Sequence, residues 1–237
     1  MVLGIMQPYF LPYIGYLQLI QAVDHFILLD EVQYIRHGWI ERNRILKPSK
    51  DDWQYIKVPL QKHERETLIK DVKIDNAKDW RKTILAQLMH YKKGNPRYAS
   101  SVGLVEQALN IDTDSITQLN AHSLKVMASH LGINTPISIF SEMGMEIEEV
   151  KGAGDWALNI SKALGADVYI NPINGKELFD SEAFTKAGIN LCFIKPKEVR
   201  YSQPNNDFIP YLSIVDVLMS VQEVECFVPE FTLSDSH

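Results

Sequence analysis

Cysteine is scarce in this chain: only Cys192 and Cys226 occur, and they form no C-x-x-C pair. That excludes a disulfide framework and fits reduced core thiols in a cytoplasmic setting. Long apolar runs are missing too. No stretch approaches the ~18–20 residues that span a bilayer, and Met1–Met6 lacks the basic segment of a secretory leader. The expectation is a cytoplasmic protein with no membrane insertion. Positive charge is not in excess, with 24 Lys and Arg against 30 Asp and Glu and a net charge of −6. A dedicated DNA-binder usually carries the opposite balance. There is no H-E-x-x-H, no G-x-S-x-G and no P-loop, and Gly152-Ala-Gly154 lacks the rest of a dinucleotide fingerprint. Serine hydrolase, P-loop kinase and dinucleotide-dependent dehydrogenase chemistry are thereby disfavoured, and no metal site is expected.

What remains is a chain of 237 residues, 46% hydrophobic and 23% charged, long enough to bury about 70–75% of its unfolded surface. Val2–Met6 is an apolar run halted by Gln7-Pro8, which predicts a buried strand ending in a loop. A helical pattern begins at Ile14, and His25–Leu29 is a second apolar run. Strand, loop, helix and strand make a βαβ unit. Trp53–Val58 and Thr67–Ile74 read as further strands, in a hairpin-like insertion. Asp75 or Asn76 is placed to cap a helix through Trp80, Ile84, Leu88 and Tyr91, followed by helices over 100–109 and 114–131. Alternation then resumes: strand 136–140, helix 155–164, strand 167–170, helix 180–187, strand 189–194 and helix 213–221. The prediction is an α/β fold with a mostly parallel, Rossmann-like sheet, one unit over 1–237 with a helical insertion at about 76–132.

Parallel sheets bind ligands at the carboxyl ends of their strands. This edge collects Gln7, Tyr9, Tyr13, Gly15 and Tyr16 after the first strand, and Asp30, Tyr34, Trp39, Arg42, Asn43 and Arg44 after the second. It also collects Asn171 and Asn174 after Ile170, and Lys195 after Ile194. The Tyr13-Ile14-Gly15-Tyr16 turn resembles the H-x-G-H turn of nucleotidyl-transfer folds with both histidines replaced. A phenol can donate to phosphate but carries no positive charge, so cations must come from elsewhere: Arg36, Arg42 and Arg44 are the candidates at this turn, and Lys195 joins Arg42 and Arg44 as a candidate to neutralise phosphates. Packing of the strand–helix turn is the competing role for these tyrosines. Asp30 is a candidate magnesium ligand or general base, and Tyr34 and Trp39 are candidates to stack on a base or sugar.

The run Met6-Gln-Pro-Tyr-Phe-Leu-Pro-Tyr-Ile-Gly-Tyr-Leu-Gln-Leu-Ile20 resembles the opening of the WbqC-like protein family. Asp30-Glu-Val-Gln-Tyr34, Gly38-Trp39, Arg42-Asn-Arg44, Tyr169-Ile-Asn-Pro172 with Gly175, and Ser213-Ile-Val-Asp-Val-Leu218 continue the likeness along the chain. The resemblance implies a role in O-antigen or other surface-polysaccharide biosynthesis. The implied activity is a transferase or ligase that attaches an amino acid, glycine among the candidates, to a nucleotide-linked amino sugar. Its partners would be that sugar and an acyl donor, with ATP and magnesium as the candidate cofactors. Physical inference then divides the residues as follows: Asp30, Tyr34 and Lys195 for catalysis; Gln7, Tyr9, Tyr13, Gly15 and Tyr16 for the cofactor; Trp39, Arg42, Asn43, Arg44, Asn171 and Asn174 for the substrate. The alternative is a non-catalytic protein that binds a nucleotide sugar or organises a biosynthetic complex.

Overall fold

The computed structural model describes residues 1–48, 52–195, 200–203, 207–221 and 232–235; Cys226 lies outside them. The chain opens with β1 (Val2–Met6), α1 (Ile14–Gln21) and β2 (His25–Leu28). A hairpin follows, β3 (Arg42–Leu46) and β4 (Trp53–Lys57), and then the helices α2 (Trp80–Gln87), α3 (Tyr98–Leu109) and α4 (Ile116–His130). The remainder alternates: β5 (Ile137–Ile139), α5 (Asp155–Leu164), β6 (Val168–Pro172), α6 (Ser181–Lys186), β7 (Asn190–Lys195), α7 (Ile214–Ser220) and β8 (Thr232–Asp235). No helix among the described residues is long and apolar enough to cross a membrane.

The main sheet has the order β5-β2-β1-β6-β7-β8. Its first five strands are parallel, and β8 closes the edge antiparallel to β7. This is the expected Rossmann-like α/β sheet. Successive strand residues point to opposite faces, and both faces are covered. Leu3, Ile5, Ile27, Tyr169, Leu191 and Phe193 pack with Ala157 and Ile160 of α5 and Phe184 of α6. Phe26, Leu28, Ile170, Cys192 and Ile194 pack on the other side with α1, α4 and α7. Burial on two sides is why these strands read as unbroken apolar runs. Leu17, Leu19 and Ile20 of α1 are fully buried, each contributing about 1.5–3 kcal/mol of transfer free energy.

Local chemistry sets the ends of the helices. Ser213 caps α7, its hydroxyl accepting from Val215 N, and the Asp180 carboxylate accepts from Glu182 N and Ala183 N at the start of α6. Gly165 and Gly188 follow α5 and α6 at φ of +64° and +74°, a conformation that a Cβ disfavours. The cap of α2 falls at Asp79, whereas Asn76 accepts from Trp80 Nε1 at 3.1 Å.

Two expectations about the middle of the chain are corrected. Thr67–Ile74 is not a strand: it holds a single 3-10 turn, Ile69–Asp71, pinned by isolated bridges from Gln33 to Leu68, Leu60 to Ile74 and Lys73 to Ser115. Ile69, Val72 and Ile74 are buried, so their spacing reflects burial and not a ladder. The true partner of Trp53–Lys57 is Arg42–Leu46, with Arg42 opposite Lys57 and Arg44 opposite Tyr55. The polar composition of β3 hid it. Arg42 lies 4.1 Å over the Tyr55 ring, and Arg44 lies 5.2 Å over Trp53. These cation–aromatic contacts make charged residues compatible with a strand face.

The sheet order has a direct consequence for where a ligand could lie. The chain runs from β1 outward through β2 to β5 and then returns, as β6, to the opposite side of β1. Between β1 and β6 the loops leave in opposite directions and a crevice opens at their carboxyl ends.

Candidate functional site

The first wall of that crevice is the loop from Gln7 to Tyr13. Pro8 and Pro12 remove two backbone donors, and the remaining groups are tied to every neighbouring segment. Phe10 N donates to Trp39 O at 2.8 Å, and Phe10 O accepts from Asn43 Nδ2 at 3.0 Å. Leu11 O accepts from Ser213 Oγ at 2.7 Å, and Pro12 O from Ile214 N at 2.8 Å. Asn120, fully buried in the middle of α4, donates from one Nδ2 to both Pro8 O (2.7 Å) and Ile40 O (2.8 Å). Leu11 is held at φ +39° and Tyr211 at +58°, sparsely populated values for side chains with a Cβ. A loop without regular structure is thus fully specified.

The crevice has two adjoining lobes. The polar lobe, about 350 Å³, is lined by Tyr9, Tyr13, Trp39, Asn43, Arg44, Asn174, Lys195 and Tyr211, with Pro12, Pro172 and Ile173. The second, about 370 Å³, shares Tyr9, Tyr13, Pro172 and Asn174 and extends over Met6, Trp156, Leu178 and Phe179. Arg44 lies 5.3 Å over the Trp39 ring, and its Nε is buried without a partner among the described residues. Tyr211 stands edge-on to Tyr13 at 5.9 Å. Burial raises the phenol pKa values of Tyr9 and Tyr13, the latter also through the nearby Tyr9 and Tyr211. Both therefore remain neutral hydrogen-bond donors at physiological pH. Cations, neutral phenols and aromatic faces on one wall suit a ligand with phosphates and a planar ring.

Seven expected residues meet in the polar lobe: Tyr9, Tyr13, Trp39, Asn43, Arg44, Asn174 and Lys195. Others do not join them there. Gln7, Tyr16 and Asn171 line the apolar lobe, but Tyr16 donates its hydroxyl to Gln7 O at 2.7 Å, which is the packing role. Asn171 is held by the Tyr169 hydroxyl at 2.9 Å and by Pro172 O at 3.0 Å. A Cβ on Gly175 would approach Asn171 Nδ2 to 2.3 Å, so glycine is needed there for close approach. Gly15 is buried in the first turn of α1 and lines neither lobe. Arg42 shares the Arg44 face of β3, yet it turns back to Gly38 O and His37 O. Tyr34 lines a different cavity, because its backbone N is drawn to Thr67 O at 2.9 Å. Asp30 is 1% exposed and outside both lobes; Ser141 N and Oγ donate to its two oxygens at 3.0 and 2.7 Å. Sequence reasoning missed Tyr211, Trp156 and Phe179. Only the position of Tyr211, two residues before the Ser213 cap, offered a signal.

A family model described as the WbqC-like protein family matches residues 7–226. The chain belongs to the WbqC-like protein family. The family is associated in general with O-antigen and polysaccharide biosynthesis. One relative, "Uncharacterized protein Rv1507c" of Mycobacterium tuberculosis, is 27% identical over 227 residues, covering 92% of this chain and 93% of its own. No solved structure matches. In this WbqC-like chain the match takes in the loop from Gln7, β3 and the loop after β6, so every residue lining the polar lobe lies inside it.

Candidate cofactors can be tested against these residues. A magnesium ion on Asp30 does not fit: both oxygens already accept from Ser141, and the group is closed to solvent. The phosphates of a nucleotide do fit the polar lobe, where the orphaned Arg44 Nε, the exposed Lys195 and the neutral phenols offer donors.

Proposed function

We propose that the switch-point cleft of this WbqC-like protein binds a nucleotide-linked amino sugar, and that the protein is a transferase or ligase attaching an amino acid to the sugar amine. The observation that carries this reading is the convergence of Arg44 and Lys195 with Trp39, Tyr9, Tyr13 and Tyr211 at the crevice between β1 and β6. In this reading Arg44 and Lys195 neutralise the diphosphate, Tyr9 and Tyr13 donate to its oxygens, and Trp39 stacks on the base. Asn43 and Asn174 orient the sugar. Amide formation joins the amine nitrogen to the acyl carbon, releases the donor's leaving group and gives up one amine proton. ATP with magnesium, or a preactivated carrier, would supply the activated acyl group.

A second reading, a non-catalytic nucleotide-sugar binder, is favoured by one observation. Among the described residues, neither lobe is lined by His, Asp, Glu or Cys, so no side chain there is a base of moderate pKa. Thermal shift of the full chain with nucleotide-linked amino sugars, ATP–magnesium and magnesium alone tests binding. A ligand at 100 times its Kd adds about 2.7 kcal/mol of stability. Arg44→Ala is expected to weaken the nucleotide sugar by about 1.5–3 kcal/mol, roughly 10- to 150-fold. Absence of any shift in the parent, or an unaltered shift in Arg44→Ala, rejects the cleft assignment. Glycine-dependent pyrophosphate release then separates the ATP-dependent ligase from the binder.

A further inference from the structure

A second cavity, about 470 Å³, opens beside segment 36–41 and shares no lining residue with the cleft. Its walls include Tyr34, Arg36, Glu41, Lys57, Lys62 and His63. Glu41 is 2% exposed. Its carboxylate lies close enough to the Tyr34 phenol to raise that phenol's pKa, and Oε2 has no partner among the described residues. An ionised carboxylate offers about four acceptor positions, and buried polar atoms are nearly always hydrogen-bonded. An orphaned oxygen on a cavity wall therefore marks the place of a missing donor.

The surroundings restrict what that donor can be. Arg36, Lys57 and Lys62 are exposed and have no carboxylate partner among the described residues; Glu64 is at the exposed rim. A bare anion would satisfy these cations but leave Glu41 orphaned. A cation or ammonium group would satisfy Glu41 but meet three like charges. A neutral hydroxyl attached to an anionic group answers both demands. Tyr34 and His63, edge-on at 4.9 Å, add aromatic surface against which a short carbon chain can lie. The volume suits a small metabolite.

We propose that this cavity is a second ligand site, for the phosphate monoester of a small polyol. Its phosphate lies among Arg36, Lys57 and Lys62, and a hydroxyl donates to Glu41 Oε2. The site is independent of the cleft and of the function assigned there.

Calorimetric titration of the full chain with glycerol 3-phosphate, ribose 5-phosphate, inorganic phosphate and glycerol tests this. At least one monoester is expected to bind about tenfold or more tightly than phosphate, from one charge-assisted hydrogen bond. Glu41→Gln, which keeps the side-chain shape, removes most of that advantage. The double variant Lys57→Ala/Lys62→Ala, at two exposed positions, weakens monoester and phosphate together. Arg44→Ala in the cleft leaves both affinities unchanged. No saturable binding of either monoester overturns the proposal, as does binding indifferent to Glu41→Gln and to the lysine pair. Binding abolished by Arg44→Ala also overturns it, by moving the ligand to the cleft. Failure of nucleotide sugars to bind the cleft has no bearing on these outcomes.

Discussion

At the carboxyl end of β3, Leu46 N donates to the Tyr91 hydroxyl at 3.1 Å, and that hydroxyl donates in turn to Asp216 Oδ1. Tyr201 and Gln203 complete the shell, donating to Asp216 Oδ2 at 2.6 and 3.2 Å. At the other end, Glu41 precedes the strand, is equally enclosed, and keeps one oxygen without a donor. The contrast separates two uses of a buried carboxylate. Asp216 is saturated by its own chain and joins α7, β3 and the 201–203 segment into one body. Glu41 is left incomplete where a cavity reaches it. Satisfaction by the chain marks structural use, and an open valence beside a cavity marks an opportunity for a ligand.

Four substitutions would break or sharpen this contrast. Asp216→Ala should have the largest effect, a loss of about 3–5 kcal/mol, because the buried Tyr91 and the half-buried Tyr201 and Gln203 all lose their acceptor; denaturant unfolding measures it. Tyr91→Phe should cost about 1–3 kcal/mol by leaving both Leu46 N and one Asp216 oxygen short of a partner. A smaller effect is expected in pH dependence. Burial holds the Asp216 carboxyl above the usual carboxylate range, against the pull of Tyr201, Tyr91 and Gln203. The folded chain then binds its proton before the unfolded chain does, so this group adds stability as pH falls through its folded pKa toward about 4. Stability curves of Asp216→Asn should lack that acid-side gain, apart from a remainder from Asp30, which burial also raises. Glu41→Gln should change unligated stability least, by under about 1 kcal/mol and in the stabilising direction. A loss comparable to that of Asp216→Ala would show that both ends of β3 are structural.

The sequence was most readable where burial is two-sided or a cap is local. Val2–Met6 and Asp155–Leu164 form with the expected bounds, since an apolar run or an amphipathic stripe needs no partner to be recognised. β3 was unreadable because Arg42-Asn43-Arg44 becomes a strand only beside Trp53–Lys57, whose rings cover the guanidinium groups. The polar lobe could be anticipated because the carboxyl-edge rule depends on topology alone, and it gathers Tyr9, Trp39, Arg44 and Lys195 from four separate segments. Asp30 and Tyr34 show its limit. Both follow β2, but hydrogen bonds to Ser141 and Thr67 direct them elsewhere, and such distant partners leave no trace in local spacing.

Asn120 gives the molecule a joint. One amide nitrogen holds Pro8, in the wall of the cleft, and Ile40, next to Glu41, at 2.7 and 2.8 Å. The loop after β1 and the segment before β3 are thereby fixed to one point of α4, so the first wall of the cleft is braced from the interior and not from its rim.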